Sequence, residues 1–88
     1  MKHNQFSIGD TASMTGVTDK QLRNWEDKGY IPAPERVVSG KRAYRYYNLD
    51  HINLIQKIKE NLDEGYTLEA AAKKASGLPY RRGGGGNA

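Results

Sequence analysis

The chain has 88 residues, room for one small domain. It has no cysteine, a mean hydropathy of −0.86 and no apolar run longer than three residues. That excludes disulfide staples, a cysteine metal site, a thiol nucleophile, a membrane-spanning helix and a signal-peptide core, and an intracellular chain held by packing alone is expected. Lys and Arg total 14 against 10 Asp and Glu, a net charge of +4. The excess is local: between Arg36 and Leu49 there are four cations and no anion. A basic stripe of this kind attracts phosphate better than the same charge spread evenly.

Residues 1–5 carry no periodicity and read as a loose, flexible start. Ser7 is placed to N-cap a short first helix, with Asp10 in its first turn. Ile8, Thr11, Ala12 and Met14 are expected along its packed side, and Gly16 ends it. A second helix begins at Thr18. Thr18-Asp19-Lys20-Gln21 has the capping-box pattern, and the helix should run to about Lys28 before Gly29. Leu22 and Trp25 share one face, while Lys20, Arg23, Asn24 and Asp27 share the other. Two helices joined through Gly16 form a helix-turn-helix unit, a signal that any small α-hairpin shares.

Ile31-Pro32-Ala33-Pro34 cannot be helical, because each Pro disfavours the α region for its predecessor. Arg36 to Val38 and Arg42 to Tyr47 then read as short strands around a Ser39-Gly40-Lys41 turn. Asn48 caps a third helix, in which Ile52, Ile55, Ile58 and Leu62 recur at helical spacing with Leu54 beside them. Thr67 caps a fourth, from Leu68 to about Ala75, whose Ala70-Ala71-Ala72 run suggests close packing. Residues 79–88 are Gly-rich without apolar periodicity and read as a disordered tail. The order helix, helix, hairpin, helix, helix is a mainly α winged helix-turn-helix, over residues 6–78, with the hairpin as the wing.

Several linked segments resemble the DNA-binding domain of the MerR family of transcription regulators. Ile8-Gly9-Asp10 with Ala12, and Thr15-Gly16-Val17-Thr18, resemble its first helix and turn. Leu22-Arg23-Asn24-Trp25-Glu26 with Gly29-Tyr30-Ile31 resembles its recognition segment. Tyr44-Arg45-Tyr46-Tyr47-Asn48 resembles its wing motif, and Gly65-Tyr66-Thr67-Leu68-Glu69 resembles the start of its last helix. Thr11 stands where the family usually has Leu, which should loosen the first helix. Asn24-Trp25 replaces a Tyr-Tyr pair, and Tyr46 replaces a second wing Arg.

The resemblance implies double-stranded DNA binding in transcription regulation, in the cytoplasm and on the nucleoid, and no enzyme activity. The DNA-facing set is Thr18, Lys20, Gln21, Arg23 and Asn24 on the second helix, and Arg36, Lys41, Arg42, Tyr44 and Arg45 on the wing. Tyr66 and Thr67 form a second, smaller wing. Arg and Lys match guanine edges, and Asn matches adenine. The alternative for the helix residues is a solvated face, and for Thr18 a cap without phosphate contact. Of Tyr44, Tyr46 and Tyr47, alternation sends some inward and at least one outward. Trp25 is expected in the core. Arg45 matches the wing arginine that contacts DNA in the family. His3 and His51 are not joined by any carboxylate or thiol pattern, so no metal, cofactor or membrane partner is expected. Other readings are an architectural or excisionase-like DNA-binding factor, or a winged-helix protein-interaction module. Family members usually continue into a long dimerising helix. This chain runs into glycines, so a free monomer is expected, with a dimer on DNA implied by the resemblance.

Overall fold

The computed structural model describes residues 5–77. Its elements in chain order are β1 (Phe6–Ser7), α1 (Ile8–Thr15), α2 (Asp19–Asp27), β2 (Glu35–Ser39), β3 (Arg42–Tyr47), α3 (Leu49–Asp63) and α4 (Leu68–Ala75). The fold is a mainly α winged helix-turn-helix with a three-stranded antiparallel sheet. The expected disordered tail and all but the last residue of the loose start lie outside the described residues.

The helix ends form where the capping residues stand. The Ser7 hydroxyl accepts from the Asp10 N–H at 3.0 Å. Gly16 closes α1 with φ of 77°, a left-handed conformation that costs a side-chain-bearing residue energy. At α2, the Thr18 hydroxyl accepts from the Gln21 N–H at 3.1 Å, and Gln21 Oε1 accepts from the Thr18 N–H at 3.1 Å. The box is closed on both sides, so α2 starts at a defined angle after a short turn.

The structure adds one pairing and corrects one expectation. Phe6 and Ser7, read without a strand, pair with Tyr47 and Tyr46. This makes β3 the central strand of the order β1-β3-β2. Two residues are too few to show period-2 alternation, so only the partner strand reveals the pairing. Met14, expected on the packed side of α1, is 46% exposed; Thr11, expected there too, is buried, and Thr15 is buried beside it. Thr11 Oγ1 donates to the Ser7 carbonyl and Thr15 Oγ1 to the Thr11 carbonyl, each at 2.8 Å. A hydroxyl satisfied by its own helix carries little desolvation penalty, so Thr takes a core place that pattern reading reserves for apolar residues.

The core gathers Val17, Leu22, Trp25, Ile31, Tyr47, Ile55, Ile58, Ala71 and Ala72. Ala71 and Ala72 bring α4 close to α3, and the buried Asn61 amide donates to the Ala71 carbonyl at 3.1 Å. His51 is buried too, as the third residue of an Asn48 capping box. Its Nδ1 accepts from the Asn48 N–H at 3.1 Å, and its Nε2 lies 3.1 Å from the Pro32 carbonyl. The neutral Nε2–H tautomer satisfies both bonds and ties the proline loop to α3.

Candidate nucleic-acid interface

The α2 surface divides as its spacing predicts. Leu22 and Trp25 are buried, while Lys20, Arg23 and Asn24 are exposed. Thr18 and Gln21 are exposed as well, but their side chains are occupied by the capping box. Thr18 therefore acts as a cap, at an end where the first N–H groups of α2 face outward.

The wing is a tight hairpin. Register runs from Glu35↔Tyr46 to Ser39↔Arg42, with Gly40 at φ of 63° and Lys41 in the connection. Gly40 takes the positive φ that a two-residue hairpin turn of this hand requires. Lys41 and Arg42 project at the exposed tip, and Val37, Val38 and Tyr44 are exposed along it. Of the three wing tyrosines, Tyr47 is fully buried, Tyr46 is half-buried and Tyr44 is 41% exposed. Burial pushes the Tyr47 phenol up, and the nearby Glu26 charge adds to this, so it stays neutral.

Arg36 and Arg45 are directly opposed across β2 and β3. Like charges in that arrangement destabilise a strand pair. Glu26, on α2, stands between them. Its carboxylate accepts from Arg45 Nε at 2.9 Å and from Arg36 Nη2 at 3.1 Å. Burial pushes the Glu26 carboxyl up, but the hydrogen bonds from Arg45 and then Arg36 outweigh it and hold the group below the usual carboxylate range. Sequence reading left Glu26 without a role, because an acid between Trp25 and Asp27 looks like part of the solvated face.

Arg23, Tyr44 and Arg45 come together, with Ser7, Ile8, Ala43 and Tyr46, around a small cleft of about 170 Å³ between α1, α2 and the wing. Tyr66 and Thr67 stand apart, at the start of α4, which packs on α3. The Thr67 hydroxyl caps that helix through the Ala70 N–H at 3.2 Å, and Lys74 Nζ lies 5.6 Å from the Tyr66 ring centre. A larger open groove of about 620 Å³ runs between residues 29–32, α3 and the end of α4. Asp50 and Lys57 are its only charged lining residues, so it offers phosphate no net attraction. Among the described residues no helix is long and apolar enough to cross a membrane.

Residues 6–78 match the family described as MerR HTH family regulatory protein. The chain is 33% identical over 68 residues to the HTH-type transcriptional regulator CueR of Escherichia coli O6:H1, covering 77% of this chain and 48% of that protein. It is 35% identical over 69 residues to the mercuric resistance operon regulatory protein of Bacillus cereus, covering 78% and 50%. Nodulation protein NolA of Bradyrhizobium elkanii is 29% identical over 76 residues, covering 86% and 33%. The chain thus spans half the length, or less, of these curated relatives. With the family matched over residues 6–78 and the winged helix-turn-helix in place, this chain belongs to the MerR family of HTH regulatory proteins.

Proposed function

We propose that this chain binds double-stranded DNA as the DNA-reading part of a transcription regulator, without enzymatic chemistry. One observation carries the reading: the exposed Lys20, Arg23 and Asn24 face of α2 stands beside a cationic wing, and Arg23 lines the same cleft as Arg45. Helix α2 enters a major groove, where Arg23 and Asn24 meet base edges and Lys20 meets a base or phosphate. Lys41 and Arg42 reach the backbone from the wing tip, and Tyr44 contributes a hydroxyl. Arg36 and Arg45 contribute charge through the positions that Glu26 leaves open. Thr18 and Gln21 present the N-terminus of α2 to a phosphate while capping it. Tyr66 and Thr67 offer a second, weaker backbone contact. The working unit is residues 6–78, its setting is the cytoplasmic nucleoid, and two copies bind half-sites about 10 bp apart on one DNA face.

The test is titration onto duplex DNA over a salt series. Affinity should fall steeply as salt rises, and Arg42→Ala should make the log–log slope shallower by about 0.9, the value of one phosphate contact. Arg23→Ala should cost about 1–3 kcal/mol and blur preference at particular base pairs. Salt-independent binding, or slopes untouched by Arg42→Ala, would instead favour a protein-interaction surface.

A further inference from the structure

We infer that Glu26 is a positioning residue for DNA binding: its carboxylate sets the wing against α2 and holds Arg45 with its terminal nitrogens free for a phosphate. This rests on the DNA-binding reading above.

The backbones of α2 and the wing strands barely approach one another. Among the described residues, the Glu26–Arg45 and Glu26–Arg36 bonds are the only side-chain hydrogen bonds between them. Beyond the shared core of Leu22, Trp25 and Tyr47, the polar tie between the helix and the wing is this one carboxylate. That carboxylate also separates the opposed Arg36 and Arg45, whose repulsion would otherwise push the strands apart. Its side chain is 13% exposed and that of Arg45 21%, so this bond is largely shielded from water and salt, while Arg36 at 54% is not.

The atoms used matter. Arg45 is held at Nε, at one corner of its planar fork. Its two Nη nitrogens have no protein partner among the described residues. Arg45 lines the cleft shared with Arg23 and Tyr44. A phosphate oxygen there meets a cation already oriented, with less side-chain entropy left to lose. A free carboxylate on this helix would repel DNA. This one is neutralised by two arginines and the three groups together carry +1.

The experiment compares two substitutions that each remove one negative charge from α2. Asp27 is the exposed neighbour and makes no bond to the wing. The full chain is titrated onto a mixed-sequence fluorescent duplex over a salt series, with circular dichroism and amide NMR spectra as fold controls. Simple electrostatics makes both variants bind more tightly. The positioning role predicts that Asp27→Asn binds as well or better, while Glu26→Gln weakens binding about tenfold, the scale of one lost charge-assisted hydrogen bond. It also predicts that Glu26→Gln makes the salt slope shallower by about 0.9 despite the added net positive charge, because Arg45 leaves its phosphate. A merely structural role would leave that slope unchanged.

Arg45→Lys supplies a second route if Glu26→Gln fails to fold, since Lys keeps the charge and loses the fork. It should weaken binding similarly, and adding Glu26→Gln to it should cause little further loss. Glu26→Gln tightening as Asp27→Asn does, or full additivity in the double variant, overturns the positioning role alone. Absence of DNA binding by the unsubstituted chain overturns the DNA reading itself.

Discussion

Trp25 and Tyr47 are both large, aromatic and fully enclosed, yet their substitution should have opposite consequences. Trp25 is 2% exposed and joins α2 to the core beneath it. Trp25→Ala should destabilise the fold by about 3–5 kcal/mol. With a total stability of about 5 kcal/mol for a domain this small, the variant should keep about 2 kcal/mol or less, and its melting temperature by circular dichroism should fall steeply. A retained melting temperature with lost DNA binding would move Trp25 from the core to the interface. Tyr47 is different because its buried hydroxyl has no partner among the described residues. An unpartnered buried hydroxyl contributes no bond to offset its desolvation. Tyr47→Phe should therefore change stability by less than about 1 kcal/mol, in the direction of a gain. Denaturant titration checks it, and a larger loss would mean that the hydroxyl is bonded. Trp25 could be placed from its i, i+3 spacing with Leu22. The fate of each tyrosine could not, because three of four consecutive wing residues are Tyr and alternation alone does not say which face is covered.

At the scale of elements, the wing and α2 are joined by charge as well as by the core they share through Trp25 and Tyr47, and the charged part should appear in the acid response. Glu26 is held below its ordinary pKa of 4.5. A carboxyl depressed in the folded state stabilises the fold above its unfolded pKa, and this contribution fades as pH falls through the folded value. The melting temperature of the unsubstituted chain should thus drop more steeply below about pH 4.5 than that of Glu26→Gln, and the two curves should converge in acid. Near neutral pH, Glu26→Gln should lose about 1.5–3 kcal/mol, the range for a hydrogen bond to a charged group. Parallel curves across the acid range would mean that the Glu26 bonds contribute nothing to stability. The same reasoning shows why sequence missed other joints. His51 acts through a capping box whose usual third residue is Glu or Gln, and through a carbonyl 19 residues away. Phe6 and Ser7 become a strand only because β3 offers an open edge.

For the whole molecule, the arrangement of α4 bears on assembly. Its Ala71 and Ala72 are already buried against α3, so the close packing expected of the Ala70-Ala71-Ala72 run is made within the chain and not with a second copy. The described residues present no sustained heptad stripe of the kind a coiled coil needs. The 88-residue chain should sediment as a monomer at micromolar concentration. Affinity for a single half-site should then fall near the non-specific range of about 10⁻⁴–10⁻⁶ M, with two half-sites filled almost independently. Sedimentation equilibrium followed by titration onto one and two half-sites tests both statements. A stable free dimer would identify an interface outside the packing described here.

The sequence by itself determined the order and type of the four helices and the hairpin. Their signals are local: capping residues at Ser7, Thr18, Asn48 and Thr67, Gly and Pro at the breaks, and apolar spacing within each segment. It also determined which face of α2 is buried, because a period near 3.6 is written within nine residues. Only the tertiary structure decided that Thr15 rather than Met14 belongs in the core, that Phe6 extends the sheet, and that Arg36 and Arg45 converge on Glu26. Those outcomes depend on pairs 10, 19 and 41 residues apart, or on a hydroxyl finding its bond inside its own helix. No short window of sequence contains both partners of such a contact, and the charge of an isolated Glu does not say which cation will reach it.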